Sequence, residues 1–254
     1  MRAVDCGPHE EEIVSLKGKI AIVTGGSRGI GRAIAEKLAQ QGASVVINYT
    51  QSSAAANQVA QSITKTGGKA IAVQADVSKV PDVERLFAET EKKFGKPDVV
   101  VANAGVFAQK TIADSTEEDF DSIFNVNAKG AFFTLREAAR KIQDGGRIVA
   151  ISTGGTKMFM PGAAAYLGSK GAVEQFVRSL AYELGPRGIT VNAVSPGYTE
   201  TDMLPDQFRD FAAQSSPFKR VGTAQEVADV VIFLAGTEAG WVTGQNVQAG
   251  GGVA

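Results

Sequence analysis

Seven short apolar runs recur along the chain, each divided from the next by an amphipathic stretch, and this alternation leaves few folds open. The runs are KIAIVTGG (19–26), ASVVINY (43–49), KAIAVQAD (69–76), PDVVVANAG (97–105), GRIVAIST (146–153), GITVNAVSPG (188–197) and TGQNVQAGG (243–251). Most are β-branched and apolar on both faces, the pattern of strands covered on either side by helices, as in a parallel sheet. Helical patterns fill the intervals at 29–41, 53–66, 80–94, 117–142, 162–185 and 224–236. Strand–helix alternation with short turns predicts an α/β, doubly wound parallel sheet of about seven strands with helices on both faces. No Pro/Ser-rich linker or internal repeat divides the chain, so a single domain is expected over 17–254, preceded by a flexible leader at 1–16. The stretch 198–223 breaks the rhythm; long and mixed in character, it suits a lid over a ligand.

Composition removes several function classes. A net charge of −1 gives no bulk attraction to nucleic acid or to an anionic membrane surface. No apolar run approaches the roughly 18–20 residues that span a bilayer. The single cysteine, Cys6, and the single histidine, His9, both fall in the leader. An internal disulfide is therefore impossible, and a histidine metal site or Ser-His-Asp triad inside the fold is not expected. No spaced carboxylate cluster suggests a metal either. The leader has three consecutive glutamates and no hydrophobic segment, so no secretory signal is expected and a cytoplasmic location is.

The first strand runs into TGGSRGIGRAIAEKLAQQG (24–42), with glycines at 25, 26, 29 and 31 directly before an amphipathic helix. A strand, a tight glycine turn and a helix N-terminus form an anion site, because unpaired N–H groups and the helix dipole converge there. The spacing is GxxxGxG, and no Lys-Ser/Thr pair follows, which argues against a Walker-type loop. An acid at the end of the second strand would hold a ribose 2′-hydroxyl. That place reads Ile47-Asn48-Tyr49-Thr50-Gln51-Ser52, with no acid, while Arg28 and the Asn48 and Ser52 side chains offer partners for a 2′-phosphate. NADP(H) is the expected cofactor. Asp76 ends the third strand and either accepts from the adenine amino group or caps the next helix. Asn103-Ala104-Gly105, after the fourth strand, are small enough to let a cofactor lie against the backbone.

The stretch AAAYLGSKGAVEQF (163–176) sets Tyr166 and Lys170 four positions apart, on one helical face, among small residues. A free phenol titrates near 10, and a neighbouring ammonium together with a nicotinamide cation is expected to lower that value. The phenol then serves as a proton donor or acceptor.

TGGSRGIG (24–31), NAG (103–105), Asn127 in FNVNAKG, IST (151–153), YLGSK (166–170) and SPGYTET (195–201) occur in one order. In these motifs the chain resembles the short-chain dehydrogenase/reductase family over essentially 17–252. The resemblance implies a Rossmann-type fold and hydride transfer between NAD(P)(H) and a ketone or secondary alcohol. It implies Tyr166 as acid/base, Lys170 on the nicotinamide ribose, Ser152 on the substrate oxygen, and Asn127 anchoring a relay water. It also implies cofactor contacts from Gly25, Ser27, Arg28, Gly29, Ile30 and Gly31, then Asn48, Tyr49, Ser52, Asp76 and Val77. Asn103, Ala104 and Gly105 complete that surface, with Pro196, Gly197, Thr199 and Thr201 facing the nicotinamide. Ser152 is preferred to Thr153 because Gly155 follows it by three, as in the family pattern; neighbours on a strand point to opposite faces, so only one can serve. Two departures from the pattern are Ala102, where the family often has Asn, and Ala249, where relatives carry an acid or amide.

Met203, Leu204, Phe208 and Phe211 in the lid, with Phe107 and Met158-Phe159-Met160, suit a hydrophobic or aromatic ketone. The motifs resemble both 3-oxoacyl-[acyl-carrier-protein] reductases and hydroxynaphthalene reductases. An acidic carrier protein would need a basic patch, for which Arg136, Arg140, Lys141 and Arg187 are candidates. A catalytically silent NADP(H)-binding sensor or scaffold is the alternative of another class. The family resemblance also implies a homotetramer or homodimer, built through the helices at 117–142 and 162–185 and the last strand.

Overall fold

The computed structural model describes residues 15–253. Cys6, His9 and most of the expected leader lie outside the described residues. Leu16, expected in the leader, is buried in the core, and its N–H donates to the Gln41 carbonyl at 2.9 Å. The domain thus begins earlier than expected, because this apolar side chain closes the end of the first helical layer.

The described residues form one seven-stranded, wholly parallel sheet. Its strands are β1 (Ile20–Val23), β2 (Ser44–Tyr49), β3 (Lys69–Gln74), β4 (Val99–Ala102), β5 (Arg147–Ile151), β6 (Thr190–Pro196) and β7 (Asn246–Ala249). The order β3-β2-β1-β4-β5-β6-β7 reverses direction between β1 and β4, and ligands of such sheets collect in the crevice beyond that point. Side chains alternate between two cores, as a period of two demands. Ala21 and Val23 pack with α1 (Gly29–Gln40), α2 (Ser53–Lys65) and α8 (Ala224–Ala235). Ile22, Val100 and Ile148 pack with α3 (Val80–Lys93), α5 (Ala131–Lys141) and α6 (Ala164–Leu184) on the other face.

The stretch expected as one helix at 117–142 is divided. A capping box of Thr116 and Asp119 starts α4 (Glu117–Phe124), a π-helical turn follows over Asn125–Gly130, and α5 completes the run. The wider π turn re-aims the residues it carries, here Asn127, into the protein. In the lid, a 3-10 turn at Asp206–Phe208 leads into the short α7 (Arg209–Ser215). No helix among the described residues is long and apolar enough to cross a membrane. No group of three or more His, Cys, Asp or Glu among them is placed to hold a metal ion.

Candidate active site

The glycine turn is fastened to the end of β4. The Thr24 hydroxyl accepts the N–H groups of Asn103 (2.9 Å) and Ala104 (3.1 Å). In return the Asn103 amide donates to the carbonyls of Thr24 (2.8 Å) and Gly25 (3.1 Å). Gly25 sits at φ 63°, and a Cβ there would approach the Ala104 Cα to 2.9 Å. A Cβ on Gly31 would lie 2.3 Å from the Gly25 carbonyl oxygen. Helix and turn therefore close-pack in a way that no side chain permits. The N-terminus of α1 carries no side-chain cap and no acid in its first turn, so its N–H groups and partial positive charge face the crevice uncompensated. Arg28 is exposed and makes no ion pair with a described residue. Thr201 approaches Gly29 from across the crevice, 3.4 Å from where its Cβ would be. Ser27 and Ile30 are half-buried in the same turn. These features fit a dinucleotide diphosphate. Thr24 opens the TGGSRGIG motif, yet no role is expected of it from the sequence.

Two expectations for this surface need correction. Asn48 is buried: its Oδ1 accepts the Gly25 N–H at 3.2 Å and its Nδ2 donates to the Ala75 carbonyl at 2.9 Å. Such an amide braces the glycine turn against β3 and has nothing left for a 2′-phosphate, leaving Arg28 and Ser52, the exposed uncapped start of α2. Asp76 accepts both the N–H (3.0 Å) and the hydroxyl (2.7 Å) of Ser78 on Oδ1, closing the turn before α3, whose N-cap Lys79 carries no side-chain cap. The Tyr49 hydroxyl is spent on Ser53 at 3.3 Å, and Val77 is buried. Ala249 pairs with Pro196 at the sheet edge and its carbonyl accepts the Gly197 N–H at 3.3 Å, a backbone duty indifferent to its side chain. Thr199 turns its hydroxyl onto the Gly197 carbonyl at 3.0 Å.

The reacting centre forms between the end of β5 and one face of α6. The Thr153 side chain lies near enough to the Tyr166 hydroxyl to act on its pKa. The Ser152 hydroxyl is buried and donates away from it, to Glu174 Oε1 at 2.8 Å. Ser152 continues the Ile148–Ala150 side of β5 toward α6, while Thr153, past the end of the strand, caps the 3-10 turn that follows. Phe107 packs edge-on to the Tyr166 ring with centroids 5.0 Å apart.

Lys170 is buried beneath them, and its ammonium donates to the Ile151 carbonyl at 2.8 Å. Burial lowers its pKa to about 8. Burial raises the Tyr166 pKa above its ordinary value, and the Thr153 side chain opposes the rise only in part. The expected lowering by Lys170 does not hold for the chain alone, because desolvation outweighs an ammonium turned toward a carbonyl. Gly105 leaves room for this cation: a Cβ there would stand 3.3 Å from the Lys170 Nζ and 3.4 Å from the Asn127 Oδ1. Asn127 commits both ends of its amide to protein. Its Oδ1 accepts the Val106 N–H (2.8 Å), and its Nδ2 donates to the Val106 carbonyl (2.9 Å) and the Ser169 hydroxyl (3.1 Å). Its side chain thus anchors the loop after β4.

The candidate carrier-protein patch is neutralised: Arg136 pairs with Glu84 and Glu137, Arg140 with Glu137, Lys141 with Glu91 and Arg187 with Asp144. Of the apolar candidates, Phe159, Met203, Phe208 and Phe211 are exposed, and Phe211 meets Tyr198 edge-on at 6.1 Å.

A family model described as enoyl-(acyl carrier protein) reductase matches residues 25–254. Among curated proteins, a hydroxynaphthalene reductase-like protein, Arp2 of Metarhizium brunneum, is 43% identical over 260 residues, covering 96% of this chain and 97% of that protein. Among solved structures, a short-chain dehydrogenase of Burkholderia cenocepacia in complex with NADP superposes with a TM-score of 0.91 at 39% identity, covering 94% and 98% of the two chains. The angucycline C-6 ketoreductase LanV with bound NADP gives 0.90 at 42% identity, covering 94% and 96%.

Proposed function

We propose that this chain, which belongs to the short-chain dehydrogenase/reductase family, is an NADP(H)-dependent carbonyl reductase acting on a hydrophobic or aromatic ketone. The observation that carries the proposal is a buried Lys170 held to the Ile151 carbonyl one helical turn from Tyr166, beside the glycine crevice. NADP-bound relatives and the absence of an acid at 47–52 support the cofactor choice.

The backbone of Gly25, Ser27, Gly29, Ile30 and Gly31 would hold the diphosphate at the start of α1, and Arg28 and Ser52 the 2′-phosphate. When bound, NADPH supplies the hydride to the carbonyl carbon. The residues do the rest. Two hydroxyls converge on one oxygen, so Thr153 and Tyr166 both donate to it as negative charge develops there. Tyr166 then passes its phenolic proton to that oxygen, leaving the alcohol and a phenolate. Lys170 stabilises the phenolate through its ammonium. The resting phenol, whose pKa burial raises further, is protonated at neutral pH, the state that reduction requires. Phe107, with the lid aromatics, forms an apolar wall suited to an aromatic substrate.

The carrier-protein alternative loses support from the four paired cations, and the silent-sensor alternative from the presence of the whole Thr153-Tyr166-Lys170 set. A homotetramer or homodimer remains the expected assembly; Tyr182 on α6 and Trp241 before β7 are 92% and 99% exposed, which suits burial against further copies. The test is NADPH and NADH consumption against a panel of aliphatic, aromatic and polycyclic ketones. NADPH oxidation is expected with the aromatic members, and Tyr166→Phe should abolish it while retaining NADPH binding. Full turnover in Tyr166→Phe, or NADPH binding with no ketone reduced, overturns the proposal.

A further inference from the structure

We propose that Glu174 is a positioning residue for the reacting centre, and that its carboxylate fixes the turn that carries Thr153. This rests on Thr153 and Tyr166 being the pair that meets the substrate oxygen. Glu174 lies on α6 one helical turn beyond Lys170 and two beyond Tyr166, on the same face. Its Oε1 accepts from the Ser152 hydroxyl at 2.8 Å and from the Thr156 hydroxyl at 2.7 Å. Ser152 precedes Thr153 directly. Thr156 follows it by three, with its hydroxyl also 3.0 Å from the Thr153 carbonyl oxygen. The carboxylate therefore grips the chain on both sides of the hydroxyl that faces Tyr166.

Three side chains of α6, spaced by four, take three successive residues at the end of β5. Tyr166 stands beside the Thr153 side chain, Lys170 donates to the Ile151 carbonyl and Glu174 accepts from the Ser152 hydroxyl. Two of these contacts belong to residues with a place in the chemistry. The third has none of its own, yet it alone holds the 3-10 turn Gly154–Lys157 to the helix through a charged group. Hydrogen bonds to a carboxylate are about twice as strong as neutral ones. A displacement of about 1 Å at a reacting group can cost on the order of a hundredfold in rate, so a stiff turn has kinetic value here.

The experiment measures kcat at saturating NADPH, with the best ketone of the panel, for Glu174→Ala and Glu174→Gln in wild-type and Thr153→Val backgrounds. Glu174→Ala is expected to lower kcat about tenfold with the NADPH Kd unchanged. Glu174→Gln keeps an acceptor oxygen and should stay within about threefold of wild type. In the Thr153→Val background, with no hydroxyl left to aim, Glu174→Ala should cost less than about twofold. An equal loss in both backgrounds, or none in the wild type, overturns the proposal. Should Glu174→Ala not fold, the double change Ser152→Ala with Thr156→Val removes the same bonds from the donor side and must show the same dependence on Thr153. Inactive Tyr166→Phe beside a fully active Glu174→Ala defeats the positioning role alone; active Tyr166→Phe defeats the function beneath it.

Discussion

Thr153→Val separates the two adjacent hydroxyls, of which the sequence pattern preferred Ser152. Valine keeps the branched shape and removes only Oγ1, so the effects are those of one oxygen. In the proposed role that oxygen donates to the developing alkoxide, and losing such a donor costs about 10²–10³ in kcat, or about 2.7–4 kcal/mol. Oγ1 also accepts the Gly155 N–H at 3.2 Å and caps the 3-10 turn, a bond whose loss costs about 1 kcal/mol of stability. For a chain of this size that is about 2–4 °C in Tm. Ser152→Ala should behave in the opposite way. Its hydroxyl is buried on the Glu174 carboxylate, where a hydrogen bond to a charged group contributes about 1.5–3 kcal/mol. It should therefore lose more Tm than Thr153→Val but only about threefold in kcat, since what it disturbs is placement. The assay is steady-state reduction of the best ketone, paired with thermal unfolding and an NADPH titration, and Thr153→Ser should restore most of the rate. If Ser152→Ala is the slower enzyme, Thr153 is not the substrate's partner.

Gly31→Ala drives a methyl to 2.3 Å from the Gly25 carbonyl and 2.4 Å from the Asn103 amide nitrogen, both fixed groups; overpacking of about 1–3 kcal/mol and a loss of NADPH affinity are expected by thermal shift and fluorescence titration, and wild-type affinity refutes the close packing. Arg28→Ala should erode the preference for NADPH over NADH. Asn48→Ala should weaken both cofactors alike, because its amide braces the turn; a selective loss of NADPH in Asn48→Ala contradicts that assignment. Lys170 gives a pH signature in the nucleotide-free protein. Its folded pKa of about 8 lies below the ordinary 10.5, so between those values the unfolded chain binds more protons and stability rises with pH. The increment is complete above 10.5 and lost as pH falls through 8. Lys170→Met should lack it, and parallel stability–pH curves for the two proteins count against a buried, depressed ammonium.

The strand and helix pattern was legible because it is local. Periods of two and 3.6 are written residue by residue, and the glycine turn and the Tyr166–Lys170 spacing each need only a few neighbours. For the same reason the sequence showed that only one of Ser152 and Thr153 can reach Tyr166. Which one does so depends on where β5 leaves the sheet and what α6 presents there. Glu174 supplies that answer from 22 residues downstream of Ser152. Asn48 and Asn127 have polar side chains that look available in the sequence; the fold spends both on backbone groups far along the chain. The break in the expected 117–142 helix has no glycine or proline at its start to mark it, since a π turn is paid for by the contacts of Asn127 in the third dimension. Sequence alone determined which elements form and which residue types gather at the sheet edge. The tertiary structure decided which polar atoms remain free and how burial sets their protonation, because both depend on neighbours brought together only when the layers close.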